Sequence, residues 1–125
     1  MNIVYDSRTG YVEKFVNKLP KSISKIKIGE IDEVSERYIL ITYTDKLGAV
    51  SIETKKFLSH KDNASFMRGV SSSGNRNFGI YYGLAADKIG DRFGVPVISK
   101  FELSGSSEDV DIIVSFYEEA IKSKK

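Results

Sequence analysis

Short apolar runs and amphipathic stretches alternate from one end of the chain to the other. Residues 2–6 form a brief apolar run that ends in Ser-Arg-Thr-Gly, the pattern of a strand leaving a sheet into a turn. Over residues 10–19, Val12, Phe15, Val16 and Leu19 recur on one helical face, and Pro20 predicts the stop. Ile23, Ile26 and Ile28 mark a second strand. Residues 37–44 (RYILITYT) give the clearest strand, apolar at consecutive positions as a parallel strand buried on both faces requires. A short helix is expected over 51–60, packing through Thr54, Phe57 and Leu58, followed by a strand over 65–72. A helix over 78–93 with Gly94 at its exit and a strand over 95–103 come next. From about Ser107, Val110, Ile113, Val114, Tyr117 and Ile121 follow i, i+3, i+4, i+7, i+11 spacing, which predicts the best-patterned helix of the chain.

Strands alternating with helices in this way predict a parallel sheet covered on both faces. Right-handed crossovers leave few topologies, and the order 2-1-3-4-5 of a flavodoxin-like α/β sandwich of three layers is the expected one. With 125 residues, no internal repeat and no linker, residues 1–125 are expected to form a single domain.

Composition narrows the chemistry. The chain has no cysteine and one histidine, His60, so disulfides, thiolate nucleophiles and metal ligation by sulfur or by several imidazoles are excluded. His60 falls at the predicted end of the second helix, away from the polar loops, and is assigned no catalytic role. Lys+Arg 19 against Asp+Glu 17 gives a net charge of +2, far below the charge density of a dedicated nucleic-acid binder. Part of the excess sits in Lys122, Lys124 and Lys125, where a solvated helix end accounts for it. No apolar run approaches the roughly 18 residues that span a bilayer, and the N-terminus reads as a strand rather than a signal peptide. A cytoplasmic protein with no membrane partner is expected. Any difficult chemistry must then be carried by something bound.

In an open parallel sheet, ligands bind at the carboxyl ends of the strands, where the strand order reverses. Three loops should meet there. The first, Asp6-Ser7-Arg8-Thr9-Gly10-Tyr11, offers hydroxyls and backbone N–H groups just before a helix, which suits a phosphate monoester and equally an ordinary N-cap. It matches neither G-x-x-x-x-G-K-[ST] nor G-x-G-x-x-G, against an NTPase or dinucleotide site. The second runs from Tyr43 to Ala49. There Tyr43 and Leu47 could flank a ring and Gly48 could let backbone approach its polar edge, or Asp45 and Lys46 could mark a plain surface turn. The third, Ser71 to Gly79, packs Gly74, Asn75, Arg76, Asn77, Phe78 and Gly79 together. Its amides and freed backbone can hydrogen-bond the edge of a flat heterocycle while Phe78 covers a face, although Gly and Asn also favour simple turns.

The opening VYDSRTG, the central ILITYT, the GVSSSGNRNFG segment and VPVISKFELSG before a DV-starting helix together resemble the NrdI family, flavodoxin-like flavoproteins that serve class Ib ribonucleotide reductase. The resemblance runs nearly end to end. It implies FMN as cofactor, with Ser7, Arg8, Thr9, Gly10 and Tyr11 around its phosphate. Thr42, Tyr43, Thr44, Leu47 and Gly48 would line the flavin, and Gly74, Asn75, Asn77, Phe78 and Gly79 would hold it on the other side. It further implies that reduced flavin reacts with dioxygen to supply superoxide for the dimanganese–tyrosyl radical cofactor of the reductase small subunit. Lys46, Arg76 and Lys100 near the flavin edge would then meet that subunit, and a separate reductant of unknown identity would reload the flavin. No side chain is expected to act as nucleophile or general base, and no metal site or nucleic-acid partner is expected. The chain departs from the family pattern in three places: Tyr11 stands where the phosphate loop usually has Asn, Lys46-Leu47-Gly48 replaces a glycine-richer turn, and Phe78 stands where relatives often have Trp.

Two readings from other classes compete. A general electron-transfer flavodoxin would use the same loops but typically carries an acidic surface. A phospho-acceptor receiver domain would want several carboxylates after the first strand, an Asp ending the third, a Ser/Thr after the fourth and a Lys after the fifth. The chain supplies Asp6, Ser72 or Ser73, and Lys100, but Thr42-Tyr43-Thr44 at the decisive position, and a lone carboxylate is a poor Mg²⁺ site. A binding module without flavin would leave the three loops without a reason.

Overall fold

The computed structural model describes residues 1–123; Lys124 and Lys125 of the basic tail lie outside the described residues. Five parallel strands, β1 (Asn2–Tyr5), β2 (Ser24–Lys27), β3 (Tyr38–Tyr43), β4 (Met67–Gly74) and β5 (Val97–Glu102), form one sheet in the order β2-β1-β3-β4-β5. This is the flavodoxin-like order expected from the alternation. The helices are α1 (Tyr11–Val16), α2 (Ile52–Ser59), α3 (Leu84–Phe93) and α4 (Ser107–Lys122).

Successive residues of a strand point to opposite faces, so a strand buried on both sides must be apolar throughout. On β3, Ile39 and Ile41 join Ile3, Val12, Phe15, Phe101 and Ile113 in the core beneath α1 and α4. Tyr38 and Leu40 face the other way, into the core of Val4, Phe57, Leu58, Val70 and Ile89 beneath α2 and α3. The Phe15 and Phe101 rings stack at 4.0 Å, tying α1 to β5. The α4 helix starts from a capping box: the Ser106 hydroxyl accepts from Asp109 N–H and the Asp109 carboxylate accepts from Ser106 N–H.

Several boundaries differ from the sequence expectation, each for a local reason. The helix expected over 10–19 ends at Val16, and Leu19 reaches the core through turn bonds to Val16. A single 3₁₀ turn at Asn63–Phe66 takes the residues expected to open the fourth strand, which instead continues through Gly74. The largest correction concerns 78–93. Only Leu84–Phe93 is α-helical; Arg76–Tyr81 is a broken 3₁₀ segment interrupted at Gly79 (φ 56, ψ −119), and Gly83 (φ 62) caps the helix. Two glycines in conformations other residues rarely adopt turn what periodicity reads as a helix start into a loop over the sheet end.

The three serines of β4 are buried and each is hydrogen-bonded, as burial demands. Ser71 bonds the Ser99 hydroxyl at 2.9 Å and Ser73 donates to Leu103 O at 2.6 Å. On the opposite face, Ser72 donates to Gly83 O at 2.8 Å and accepts from Ala86 N–H at 3.2 Å. Ser72 therefore fixes where α3 begins and how the loop before it is hung. Ser72→Ala leaves both backbone groups without that partner and is expected to lower stability by about 1–3 kcal/mol. Urea unfolding measures it, and an unchanged midpoint would mean that the loop re-pairs elsewhere.

Candidate functional site

The strand order reverses between β1 and β3, and the loops that follow β1, β3 and β4 converge there. Asp6, just past β1, is 6% exposed. Its carboxylate accepts hydrogen bonds from the Ser51 hydroxyl and from the Thr54 hydroxyl at 2.8 Å. Ser51 is also the N-cap of α2, accepting from Thr54 N–H at 3.1 Å. Thr42 at the end of β3 shares a 3.0 Å hydroxyl bond with Thr54. Thr42 is thus fully buried in this network, not on an open wall. The receiver-like alternative needs Asp6 open to a cation; here the carboxylate is buried and already taken by two hydroxyls.

Beyond Asp6 the first loop turns outward. Ser7 Oγ accepts from Glu13 N–H at 3.2 Å, while Gly10 (φ 93) bends the chain into α1 with no side-chain cap. The N–H groups of residues 7–11 take no partner among the described residues, leaving consecutive donors unpaired on one loop. Arg8 reaches over to the second loop. Its guanidinium lies 5.0 Å from the Tyr43 ring centroid and makes two 3.2 Å bonds to the Asp45 carboxylate. Burial raises the Tyr43 phenol above its ordinary value.

The second loop is a tight 3₁₀ turn. Asp45 caps it through Lys46 N–H at 2.9 Å, Leu47 sits at φ 55 and Gly48 at φ 79. A Cβ on Gly48 would lie 2.5 Å from Leu84 Cδ2, so α3 presses directly on this turn. Gly48 is buried for that reason, and Leu47 is thrown outward, 74% exposed. In the third loop, Asn75 Oδ1 accepts from Asn77 N–H at 2.9 Å, and Glu102 accepts from Arg76 N–H at 3.2 Å. The Arg76 guanidinium lies over the Tyr82 ring at 5.7 Å, bracing the loop, and its pKa is raised by Tyr82 and Glu102. Phe78 is 64% exposed.

Between these loops lies a cleft of about 750 Å³ lined by Arg8, Thr44, Asp45, Lys46, Leu47, Gly74, Asn75, Asn77, Phe78 and Tyr81. Seven of the residues anticipated from sequence form its wall: Arg8, Thr44, Leu47, Gly74, Asn75, Asn77 and Phe78. Ser7, Thr9, Gly10 and Tyr11 stand on the adjoining loop, Tyr43 lies under Arg8, Gly48 is covered by Leu84, and Gly79 is exposed outside the wall. Lys46, expected near the flavin edge, is also on the wall, which Asp45 and Tyr81 complete without having been anticipated there; the Arg8–Asp45 pair spans 37 positions, beyond any local pattern. Lys100 does not offer a free charge. It pairs with Asp87 at 2.5 Å, and its stem packs where a Cβ on Gly83 would stand.

Comparison with known proteins places this geometry in context. Residues 3–115 match the family described as NrdI flavodoxin-like. A protein NrdI of Bacillus licheniformis is 39% identical over 121 residues, covering 97% of this chain and 90% of its own. A protein NrdI of Bartonella tribocorum is 43% identical over 113 residues, 86% of each chain. Among solved structures, a short-chain flavodoxin associated with a PDU bacterial microcompartment superposes with TM-score 0.78 at 24% identity, over 99% of this chain and 97% of that one. Oxidised flavodoxin 2 from Bacillus cereus gives 0.61 at 19% identity, over 93% and 94%. At those identities the two structures speak to the fold.

The Asp45 carboxyl is held below its ordinary value, first by the Lys46 N–H and then by Arg8. Because the folded value is depressed, the stabilisation from this pair is present above the ordinary carboxylate range and fades as pH falls through the lowered midpoint. In a carboxyl ¹³C NMR titration, Arg8→Ala is expected to raise the Asp45 midpoint while leaving it below the ordinary value, since the Lys46 N–H remains. An unmoved midpoint would show that the Arg8 pair does not hold in solution.

Proposed function

The chain belongs to the NrdI flavodoxin-like family, and from that premise we propose that it binds FMN and activates class Ib ribonucleotide reductase in the cytoplasm. The observation that carries the reading is the cleft itself, with apolar and amide side chains on its wall and unpaired backbone donors on the loop that adjoins it through Arg8. When bound, a reduced flavin supplies electrons to dioxygen, and the superoxide so formed serves assembly of the dimanganese–tyrosyl radical cofactor of the reductase small subunit. A separate reductant restores the electrons.

The residues of the site fit such a group. The N–H groups of residues 7–11 and the hydroxyls of Ser7 and Thr9 would hold a phosphate monoester without a lysine. Leu47 and Phe78 stand outward on the two loops flanking the cleft, with Tyr81 also on its wall; flat apolar area of this kind suits a ring system. The Asn77 side chain on the cleft wall would offer hydrogen-bonding groups to a heterocycle edge. Arg8 is balanced by Asp45 on the same wall, so Lys46 is the cation of the wall that would favour an anionic reduced ring. Tyr11, at 41% exposure, contributes no amide where the family pattern usually has one. The net charge of +2 sets the chain apart from the acidic surface typical of general flavodoxins and suits an acidic docking surface on the reductase subunit.

Titration of the protein with FMN and with riboflavin, followed by visible absorbance and flavin fluorescence, tests the reading. FMN is expected to bind, and riboflavin to bind about a hundredfold more weakly through loss of several charge-assisted bonds. Equal affinities would overturn the phosphate assignment, and no binding would overturn the flavin reading. Anaerobic reduction followed by air should release superoxide, detected by a superoxide-specific probe; its absence would overturn the activator role.

A further inference from the structure

A second concavity lies between the outer flanks of α2 and α3. It is a groove of about 390 Å³ with Leu58, Ile89 and Phe93 among its apolar lining and Lys55, Lys88 and Arg92 around them. Helix geometry explains how the cations gather. On α3, Lys88 and Arg92 are four apart and share the flank toward α2, while Asp87 and Asp91, also four apart, share the opposite flank. There Asp87 pairs with Lys100 of β5. On α2, Lys55 faces the groove, whereas Glu53 lines a different cleft on the other flank beside Lys56 and His60. No carboxylate lines the groove. Among the described residues, none of its three cations makes an ion pair.

The α3 helix therefore sorts its charges by flank, and its cationic flank faces Lys55 of α2 across the groove. Placing like charges four apart on one helix is unfavourable, and setting a third across the groove adds to it. Half-buried Phe93 and Val50 ringed by unpaired cations are complementary to an apolar residue flanked by carboxylates. The polar groups at the groove are exposed long side chains, with Arg92 resting over the Phe93 ring at 5.5 Å. A small anion finds no buried donor there and would leave the exposed part of Phe93 and Val50 uncovered, as would a nucleic-acid backbone.

We propose that the α2–α3 groove docks an acidic segment of a partner protein, a Leu- or Phe-sized side chain seated on half-buried Phe93 and Val50, with Leu58 and Ile89 buried beneath, and its flanking carboxylates paired with Lys55, Lys88 and Arg92. The groove shares no lining residue with the cleft between the loops, so both can be occupied at once. Val50, at the head of the groove, bridges Thr44 in the cleft wall, which puts the docked segment directly behind the second loop.

The test uses a fluorescein-labelled peptide, Glu-Glu-Leu-Phe-Glu-Glu, followed by anisotropy against the full chain at low and moderate salt. The triple variant Lys55→Glu, Lys88→Glu, Arg92→Glu is expected to bind about tenfold or more weakly. A charge-matched triple elsewhere on the surface, Lys56→Glu, Lys61→Glu, Lys122→Glu, should stay within about twofold. Replacing the peptide's Leu-Phe with Ala-Ala should also weaken binding. Equal loss in both triples would reveal diffuse attraction and overturn the proposal, as would no binding, or groove-dependent binding of a single-stranded oligonucleotide in preference to the peptide. Should the groove triple fail to fold, the single Lys88→Glu variant and amide chemical-shift mapping on the unaltered chain decide the same question: shifts confined to α2 and α3 support it, shifts elsewhere do not.

Discussion

The site depends on one buried carboxylate. A carboxyl group at 6% exposure needs hydrogen-bond partners, and Asp6 Oδ2 finds two in hydroxyls from a segment about 45 residues away in sequence. The consequence is positional. Ser51 both bonds Asp6 and caps α2, Thr54 both bonds Asp6 and touches Thr42, and so the end of β1, the end of β3 and the start of α2 share one network. The first loop departs from Asp6 and the second is closed by Ser51. Neither can shift without breaking bonds in the interior. The unpaired donors of residues 7–11 are thus carried on a rigid base, which is the arrangement that holds a ligand with little ordering cost.

A second layer of constraint comes from close backbone approach. Gly48 meets Leu84, and Gly83 meets the stem of Lys100, so the loop after β3 is pressed against α3 and the start of α3 against β5. Ser72 ties the same point to the centre of the sheet. The outward-facing residues of the cleft follow from this. Once Gly48 is pinned inward, Leu47 can only point out, and once Gly79 and Gly83 turn the chain, Phe78 and Ile80 are left in solvent at 64% and 84% exposure. Large apolar side chains in water are favourable only when something covers them.

The sheet was legible in the sequence because its strands are buried on both faces: ILITY has no other reading than a central strand once helices are seen on either side. The convergence of three polar loops followed from topology alone. The start of α3 was not legible, since Phe78, Tyr81, Tyr82 and Ala85 fit helical spacing and only the backbone angles of Gly79 and Gly83 reveal the break. The role of Thr42 was also hidden. A threonine ending a strand at the switch point suits a ligand wall, and nothing local says that Thr54 and Asp6 claim its surroundings first. Asp45 was visible as a turn residue, but its pairing with Arg8 and its place on the cleft wall depend on two loops meeting in space.

Net charge illustrates the same limit at the scale of the surface. An excess of two positive charges in 125 residues describes a nearly balanced protein, yet the balance is not local. Lys100, which sequence alone would place on a docking patch, is neutralised by Asp87. Burial of Ala85, Ala86 and Ile89 fixes the rotation of α3, which places Asp87 beside Lys100 of β5 and leaves the flank toward α2 to Lys88 and Arg92. The electrostatic character of the α2–α3 face is therefore set by which face of α3 is buried. A field that a partner could read arises from sorting charges between flanks, a property of 3.6-residue periodicity and packing that composition does not carry.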